Sequence, residues 1–108
     1  MTFNAQYAND EPLRDDVDRL DGVTLVEFGS PWCGWCSRAQ PLIRAAIDEH
    51  PSVRHLKIED GPGRPLGRSF RVKLWPTLVV MHDGKEVARL VRPSETQAIK
   101  NALAKAVP

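Results

Sequence analysis

Two cysteines, the only ones in the chain, lie three positions apart in the stretch Trp32-Cys33-Gly34-Trp35-Cys36. Thiols at this spacing can form an intramolecular disulfide. They can also point the same way from the first turn of a helix, where residues i and i+3 are neighbours. Such a pair serves redox chemistry, serves metal binding, or occurs by coincidence. It is the strongest candidate for a reactive site in this sequence.

The flanking residues predict where the cysteines lie in a fold. Residues 23–28 are apolar with little polar alternation, which is typical of a buried strand, and Ala39 to Glu49 repeat apolar residues at helical spacing. The pair therefore lies where a strand leads into a helix. The unpaired N–H groups and the dipole of a helix start favour a thiolate over a thiol, so we expect Cys33 to be a nucleophile.

The segments before and after this unit predict an α/β chain. A helix is expected over residues 9–22, with Asn9 or Asp10 as its N-cap. Residues 53–58 predict the next strand, which should run parallel to the first because a helix connects them. Residues 59–67 predict a loop or a broken short helix.

The last third of the chain predicts a hairpin and a helix. Strands are expected at 77–81 and 87–91, and Asp83-Gly84 between them is a strong turn signal, so these strands should be antiparallel. A final helix is expected to open at Ser94, because Gln97 follows three residues later as in a capping box.

Composition limits the possible functions. The 108 residues, 42% of them hydrophobic, have room for one core, so we expect a single domain over residues 1–108. The net charge is +1 with neither sign gathered into a run, which argues against nucleic acid or membrane surfaces as partners. The longest apolar run, Leu78 to Met81, is too short to span a bilayer, and no signal-peptide pattern is present. We expect a soluble, cytoplasmic protein, where two cysteines do not form a structural framework.

Two ligand-binding interpretations are disfavoured. Cys33, Cys36, His50 and His55 match a loose zinc-finger spacing, but a helix between Cys36 and His50 would separate them by about 21 Å. In Gly61-Pro62-Gly63 the prolines and the glycine spacing do not suit a phosphate-binding loop. We expect no metal and no bound cofactor.

The order of these features resembles the thioredoxin family. The resemblance depends on Trp-Cys-Gly-x-Cys at a strand-to-helix junction and on Trp75-Pro76-Thr77 before the hairpin, and it runs from about Val23 to about Ala106. It implies a central mixed β-sheet flanked by helices on both faces. It also implies that Pro76 follows a cis peptide bond beside the disulfide.

The resemblance assigns roles to three residues. Cys33 attacks a substrate disulfide as a thiolate, and Cys36 then attacks Cys33 and releases the reduced substrate. Glu27 corresponds to the family's buried acid, which accepts the proton that Cys36 loses. His55 is expected where a lysine often neighbours that acid. The redox-active Cys33–Cys36 disulfide thus takes the place of a cofactor.

Five residues around the cysteines are implied to contact substrate: Trp32, Gly34, Trp35, Trp75 and Pro76. The Trp75 backbone would pair with an extended substrate segment. Trp35 replaces the usual proline of the family motif, which should alter the redox potential and offer an aromatic contact surface.

The pair Val91-Arg92 replaces a small, glycine-containing segment of the family's substrate groove, which should narrow or alter substrate choice.

We expect a monomeric protein-disulfide reductase that an upstream thiol or flavoprotein reductase returns to its reduced form. Two alternatives remain open: an oxidase or isomerase in an oxidising compartment, and a redox-gated binding module without turnover.

Overall fold

The computed structural model describes residues 2–107. Four strands are present: β1 (Val23–Gly29), β2 (Arg54–Glu59), β3 (Thr77–His82) and β4 (Lys85–Val91). Four helices accompany them: α1 (Arg14–Asp18), α2 (Gly34–Asp48), α3 (Pro65–Ser69) and α4 (Thr96–Ala104). No helix in the described part of the chain is long and apolar enough to cross a membrane.

The strands form one mixed sheet in the spatial order β2-β1-β3-β4. β1 pairs with β2 in parallel and with β3 in antiparallel, and β3 pairs with β4 in antiparallel. Because β1 lies inside the sheet and is covered on both faces, all seven of its residues are buried. This explains why its sequence shows little polar alternation. The predicted mixed sheet is confirmed.

Helices cover both faces of this sheet, as the resemblance implies. On one face Leu25 of β1 packs in a cluster with residues of α2 and α4, among them Ile43. On the other face Phe28 packs with residues of α1 and α3 and with Phe70. Each of these fully buried side chains contributes about 1.5–3 kcal/mol of hydrophobic stabilisation, so the two clusters fix the helices against the sheet.

The helix that follows the cysteines begins earlier than its apolar pattern shows. α2 starts at Gly34 with Cys33 as its N-cap, and its buried residues Cys36, Ala39, Ile43, Ala46 and Ile47 recur at helical spacing. The first turn, Gly34 to Ser37, precedes the run of aliphatic residues that repeat at helical spacing, so that run alone does not show where the helix starts. The consequence is that Cys33 and Cys36 share the first turn of one helix, as their spacing predicts.

The predicted hairpin is confirmed at its turn. Asp83 and Gly84 have φ values of 50° and 82°, which suits a tight two-residue turn between β3 and β4. β4 begins at Lys85, two residues before the predicted start. Lys85 and Glu86 pair with β3, but their charged side chains do not show the apolar pattern by which a strand is predicted.

The first predicted helix is mostly wrong. Only Arg14–Asp18 are helical, and the N-cap is Leu13, which has no side-chain cap, rather than Asn9 or Asp10. The segment before Arg14 is not helical. Its Glu11 carboxylate accepts a hydrogen bond from the backbone N–H of Leu66 in α3. A long-range contact thus prevents the early helix that the local pattern favours.

The predicted capping box at the last helix is also wrong. α4 begins at Thr96, its N-cap is Glu95, and no side chain caps it. The Gln97 side chain donates to Asn101 Oδ1 at 2.9 Å instead of returning to Ser94. The inward residues are as predicted for Ile99, Ala102 and Leu103, whereas Ala98 is only partly buried.

Candidate active site

The two thiols differ in exposure. Both cysteines are free, Cys33 is partly exposed, and Cys36 is only 2% exposed. As the N-cap of α2, Cys33 Sγ accepts a hydrogen bond from the backbone N–H of Cys36 at 3.1 Å. A donor aimed at the sulfur at a helix start favours negative charge there. The outer sulfur is therefore the accessible one and the inner sulfur is protected.

Burial strongly affects the inner thiol. Desolvation, reinforced by the hydrogen bond to Cys33, raises the pKa of Cys36 from 9.0 to about 12. Gly29 makes this packing possible, because a Cβ at that position would lie 2.7 Å from Cys36 Sγ and 3.1 Å from the Tyr7 hydroxyl. The fold thus keeps Cys36 protonated at neutral pH, and the thiol needs a proton acceptor to react.

Glu27 lies at the centre of a buried polar network. Its side chain is 0% exposed, and both carboxylate oxygens are occupied. His55 Nε2 lies 2.8 Å from Oε1, and Gln40 Nε2 donates to Oε2 at 2.8 Å. The same Gln40 nitrogen donates to the Cys36 backbone carbonyl at 2.9 Å. Gln40 therefore connects the buried acid to the helix turn that carries the inner cysteine.

The N-terminal segment fixes the protonation of His55. The backbone N–H of Asn4 donates to His55 Nδ1 at 2.8 Å, so Nδ1 carries no proton. The proton must then be on Nε2, which donates to Glu27 Oε1. Phe3 stacks on the imidazole with ring centroids 5.3 Å apart. In this arrangement His55 is the Nε2–H tautomer, and its ring connects the backbone of Asn4 to Glu27.

Lys57 supplies the positive charge near this carboxylate. It pairs with Glu27 across the β1–β2 ladder, and its ammonium donates to Gln40 Oε1 at 2.7 Å and to the Ala5 carbonyl at 2.8 Å. The ammonium also lies 4.7 Å from the centre of the Tyr7 ring. Burial raises the pKa of Tyr7. His55 neighbours the buried acid as expected, and Lys57 is a second basic residue close to it.

A surface cleft reaches this network. It measures about 210 Å³, and Cys36, Gln40, Lys57 and Tyr7 lie among its lining residues. A cleft of this size whose lining includes polar side chains has ample room for water. Water can therefore approach the inner thiol through this cleft.

Three of the five predicted contact residues surround the outer sulfur on the surface. Trp32 is 90% exposed, Trp35 is 48% exposed, and Gly34 is exposed in the first turn of α2. Exposed tryptophans are unusual in soluble proteins because each leaves a large apolar area in water. Their position beside Cys33 is the geometry expected of a contact surface.

The other two predicted residues close the far side. The Trp75–Pro76 peptide bond is cis, and Pro76 is buried. The Trp75 carbonyl oxygen lies 3.9 Å from Cys33 Sγ and accepts a hydrogen bond from Arg92 Nε at 2.8 Å. The indole N–H of Trp75 donates to Asp60 at 2.9 Å. The structure therefore brings all eight predicted site residues to one end of the sheet.

The two histidines of the zinc-finger spacing have other partners. Both ring nitrogens of His55 are occupied by Glu27 and Asn4, and His50 Nδ1 lies 2.9 Å from the Ala46 carbonyl. Within residues 2–107 no group of three or more His, Cys, Asp or Glu side chains could hold a metal ion.

Sequence reasoning missed several members of the site. Gln40 carried a usable signal, because it lies four residues after Cys36 and hence on the same helix face. Lys57 also did, since it lies two residues after His55 and shares its face of β2. Asn4 and Tyr7 carried none, because the N-terminal residues have no periodic pattern.

Comparison with known proteins agrees with this geometry. The family model described as Thioredoxin matches residues 4–105. The chain belongs to the thioredoxin family. Thioredoxins are disulfide oxidoreductases, and this chain is accordingly a thiol–disulfide oxidoreductase.

Relatives and solved structures share almost the whole length. Thioredoxin from Chlamydia muridarum is 36% identical over 101 residues, covering 93% of this chain and 96% of that protein. Thioredoxin-1 from Saccharomyces cerevisiae is 31% identical over 90 residues, covering 83% and 86%. The structure of reduced thioredoxin 2 from Pseudomonas aeruginosa PAO1 superposes with a TM-score of 0.85 at 53% identity, covering 96% of each chain.

Proposed function

We propose that Cys33 is the nucleophile and Cys36 the resolving thiol of a protein-disulfide reductase. The observation that carries this proposal is the contrast between a partly exposed Cys33 at the helix start and a buried Cys36 one turn inside. The Cys33 thiolate attacks one sulfur of a substrate disulfide. A mixed disulfide forms and one substrate thiolate leaves.

The second step needs the inner thiol to lose its proton. Cys36 attacks Cys33 Sγ, the Cys33–Cys36 disulfide forms, and the second substrate thiol is released. Because the pKa of Cys36 is raised to about 12, this step depends on a base. Glu27 is the proposed acceptor, reached through water in the cleft beside Gln40. His55 and Gln40 hold the carboxylate in place through their hydrogen bonds to its two oxygens.

The exposed surface around Cys33 is the proposed substrate site. Trp32, Gly34 and Trp35 border it on one side, and Trp75 with Pro76 borders it on the other. The Trp75 backbone next to the sulfur would pair with an extended substrate segment.

The physiological setting follows from this chemistry. Each turnover passes two electrons to the substrate, so an upstream thiol or flavoprotein reductase must restore the dithiol. We propose that residues 1–108 act as a single domain and as a monomer in the cytoplasm. No cofactor other than the Cys33–Cys36 couple is required.

The central test uses insulin as the protein disulfide and dithiothreitol as the electron source. We expect the wild type to accelerate insulin reduction, Cys33→Ser to be inactive, and Cys36→Ser to accumulate a mixed disulfide that mass spectrometry detects. Failure of Cys36→Ser to trap substrate, with Cys33→Ser retaining turnover, would reverse the assigned roles. No turnover by the wild type would favour the redox-gated binding module.

The direction of exchange is tested by the reduction potential of the Cys33–Cys36 couple. A reductase is expected near about −270 mV, whereas an oxidase of this type lies near about −120 mV. Equilibration with glutathione buffers measures the potential. A value close to the oxidase range would replace the proposed reductase with an oxidase.

The role of Glu27 is tested by separating the two chemical steps. In Glu27→Gln we expect the initial attack by Cys33 to proceed nearly unchanged and release from the mixed disulfide to slow about 10²-fold or more. Stopped-flow tryptophan fluorescence follows both phases. Equal slowing of both steps, or of neither, removes Glu27 from this role.

A further inference from the structure

A second feature of the substrate site is its charge. The guanidinium carbons of Arg38 and Arg92 lie 4.5 Å and 4.8 Å from the centre of the Trp35 ring. Cation–π contacts of this kind hold a guanidinium group in place without neutralising it. Two positive charges are therefore fixed on one exposed aromatic side chain next to the reactive cysteine.

Neither charge is paired with an acid. Within residues 2–107, Arg38 makes no ion pair, and the only hydrogen bond from the Arg92 guanidinium goes to the Trp75 carbonyl, at 2.8 Å. That carbonyl oxygen lies 3.9 Å from Cys33 Sγ. The Arg92 guanidinium is thus separated from Cys33 Sγ by a single carbonyl group, that of Trp75.

These two arginines line a cleft that can receive a side chain. The cleft measures about 340 Å³, and the other residues that line it are Trp35, Ala39, Leu42, Pro93 and Ser94. None of the lining residues is acidic. The nearest acid along the chain, Glu95, is exposed and does not line the cleft. A largely apolar cleft that also contains two guanidinium groups without an acidic partner suits a carboxylate on a short hydrocarbon stem.

We propose that this cleft selects protein disulfides that have an aspartate or glutamate beside the attacked cysteine. The inference rests on the proposed reductase function and adds a substrate class to it. The carboxylate lies against Arg38 and Arg92 while the substrate backbone runs along Trp75. An adjacent lysine on the substrate is repelled by the same two charges.

The magnitude follows from exposed ion pairs. One such pair changes a rate or binding constant by about 1.5- to 5-fold, and the like-charge substrate is disfavoured to a similar extent. Two arginines therefore give a preference of glutamate over lysine of about tenfold. The preference should shrink at high salt, because these charges are exposed and screened.

The experiment uses three peptides that differ only in the residue beside one cysteine, which is glutamate, glutamine or lysine. The cysteine is linked by a disulfide to an uncharged pyridylthiol, whose release reports attack by the reduced protein. We expect second-order rate constants in the order glutamate, glutamine, lysine, with about tenfold between the extremes at low ionic strength.

Four variants separate charge from structure. Arg38→Gln and Arg92→Gln should each reduce the preference about threefold, whereas Arg92→Lys, which keeps the charge, should retain most of it. Arg19→Gln makes the same change in net charge at the exposed C-cap of α1 and should leave the preference unaltered. Circular dichroism of each variant checks that it folds.

Two results overturn the inference. One is equal rate constants for the three peptides with the wild type, and the other is a preference that Arg38→Gln and Arg92→Gln leave intact. The glutamine peptide keeps the inference separate from the reductase function. If the wild type fails to react with it, then the assigned role of Cys33 fails, whatever the charge preference.

Discussion

Alkaline pH should weaken the reduced protein through Cys36. In the unfolded chain this thiol loses its proton near its ordinary pKa of 9.0, whereas in the folded chain burial keeps it protonated up to about 12. Between these two values the folded state binds a proton that the unfolded state has lost. Unfolding then releases a proton, so the free energy of unfolding falls as pH rises, and below the lower value the contribution is constant.

The size of this effect can be worked out at pH 10. An unfolded thiol with a pKa of 9.0 is there about ten times more often ionised than protonated, while the folded Cys36 stays protonated. The resulting loss relative to pH 7 is RT ln 11, or about 1.4 kcal/mol. Urea denaturation under a phosphine reductant measures the free energy of unfolding at both pH values.

Cys36→Ser is the matched control, because a serine hydroxyl does not ionise in this range. The wild type should lose about 1.4 kcal/mol more than Cys36→Ser between pH 7 and pH 10. Tyr7 also has a raised pKa, but it is present in both proteins and cancels in the difference. Identical pH dependence in the two proteins would refute the argument that burial holds the proton on Cys36.

Two further predictions concern the packing around Cys36 and the hydrogen bonding of Glu27. Gly29→Ala should destabilise the reduced protein by about 1–3 kcal/mol in urea denaturation, since the new Cβ would lie 2.7 Å from Cys36 Sγ. Gly34→Ala is the control. It should not destabilise the protein, because no atom lies within 4 Å of its Cβ. His55→Ala should cost about 1–3 kcal/mol by the same measurement because Glu27 Oε1 loses its donor, and His55→Gln should cost less because its amide can still donate. Equal losses for the two histidine variants would contradict the second argument.

The parts of the fold with strong local signals were predictable. The apolar run of β1, the helical spacing in α2 and the turn at Asp83-Gly84 each specify an element by themselves. All three elements are present, and only α2 begins before its apolar pattern does. The placement of Cys33 and Cys36 in one helix turn follows from the first two. Those elements alone determine where the reactive pair lies.

Long-range contacts account for what the sequence did not predict. The early start of the first helix fails because Glu11 is bound to the backbone of Leu66, 55 residues away. The tautomer of His55 is set by Asn4, which is 51 residues away in the chain. No periodicity or capping pattern encodes such pairings, since each depends on the sheet and helices having already formed.

Within the site, Glu27 shows the same division. Its burial could be anticipated because it falls in an apolar strand, and the structure confirms a side chain with 0% exposure. Its partners could be anticipated only in part. Gln40 and Lys57 could be found from the regular spacing of a helix and a strand. The N-terminal segment that contacts His55 shows no such spacing.

The bond from Asn4 to His55 has a practical consequence for anyone who fuses another protein to this one. A polypeptide joined ahead of Asn4 lies next to the buried imidazole of His55. A displacement of Asn4 would move this ring, which contacts Glu27 Oε1 directly. We therefore expect a purification tag on that side to disturb the proposed proton transfer from Cys36 to Glu27. Kinetic work is better done with the tag removed or placed after α4.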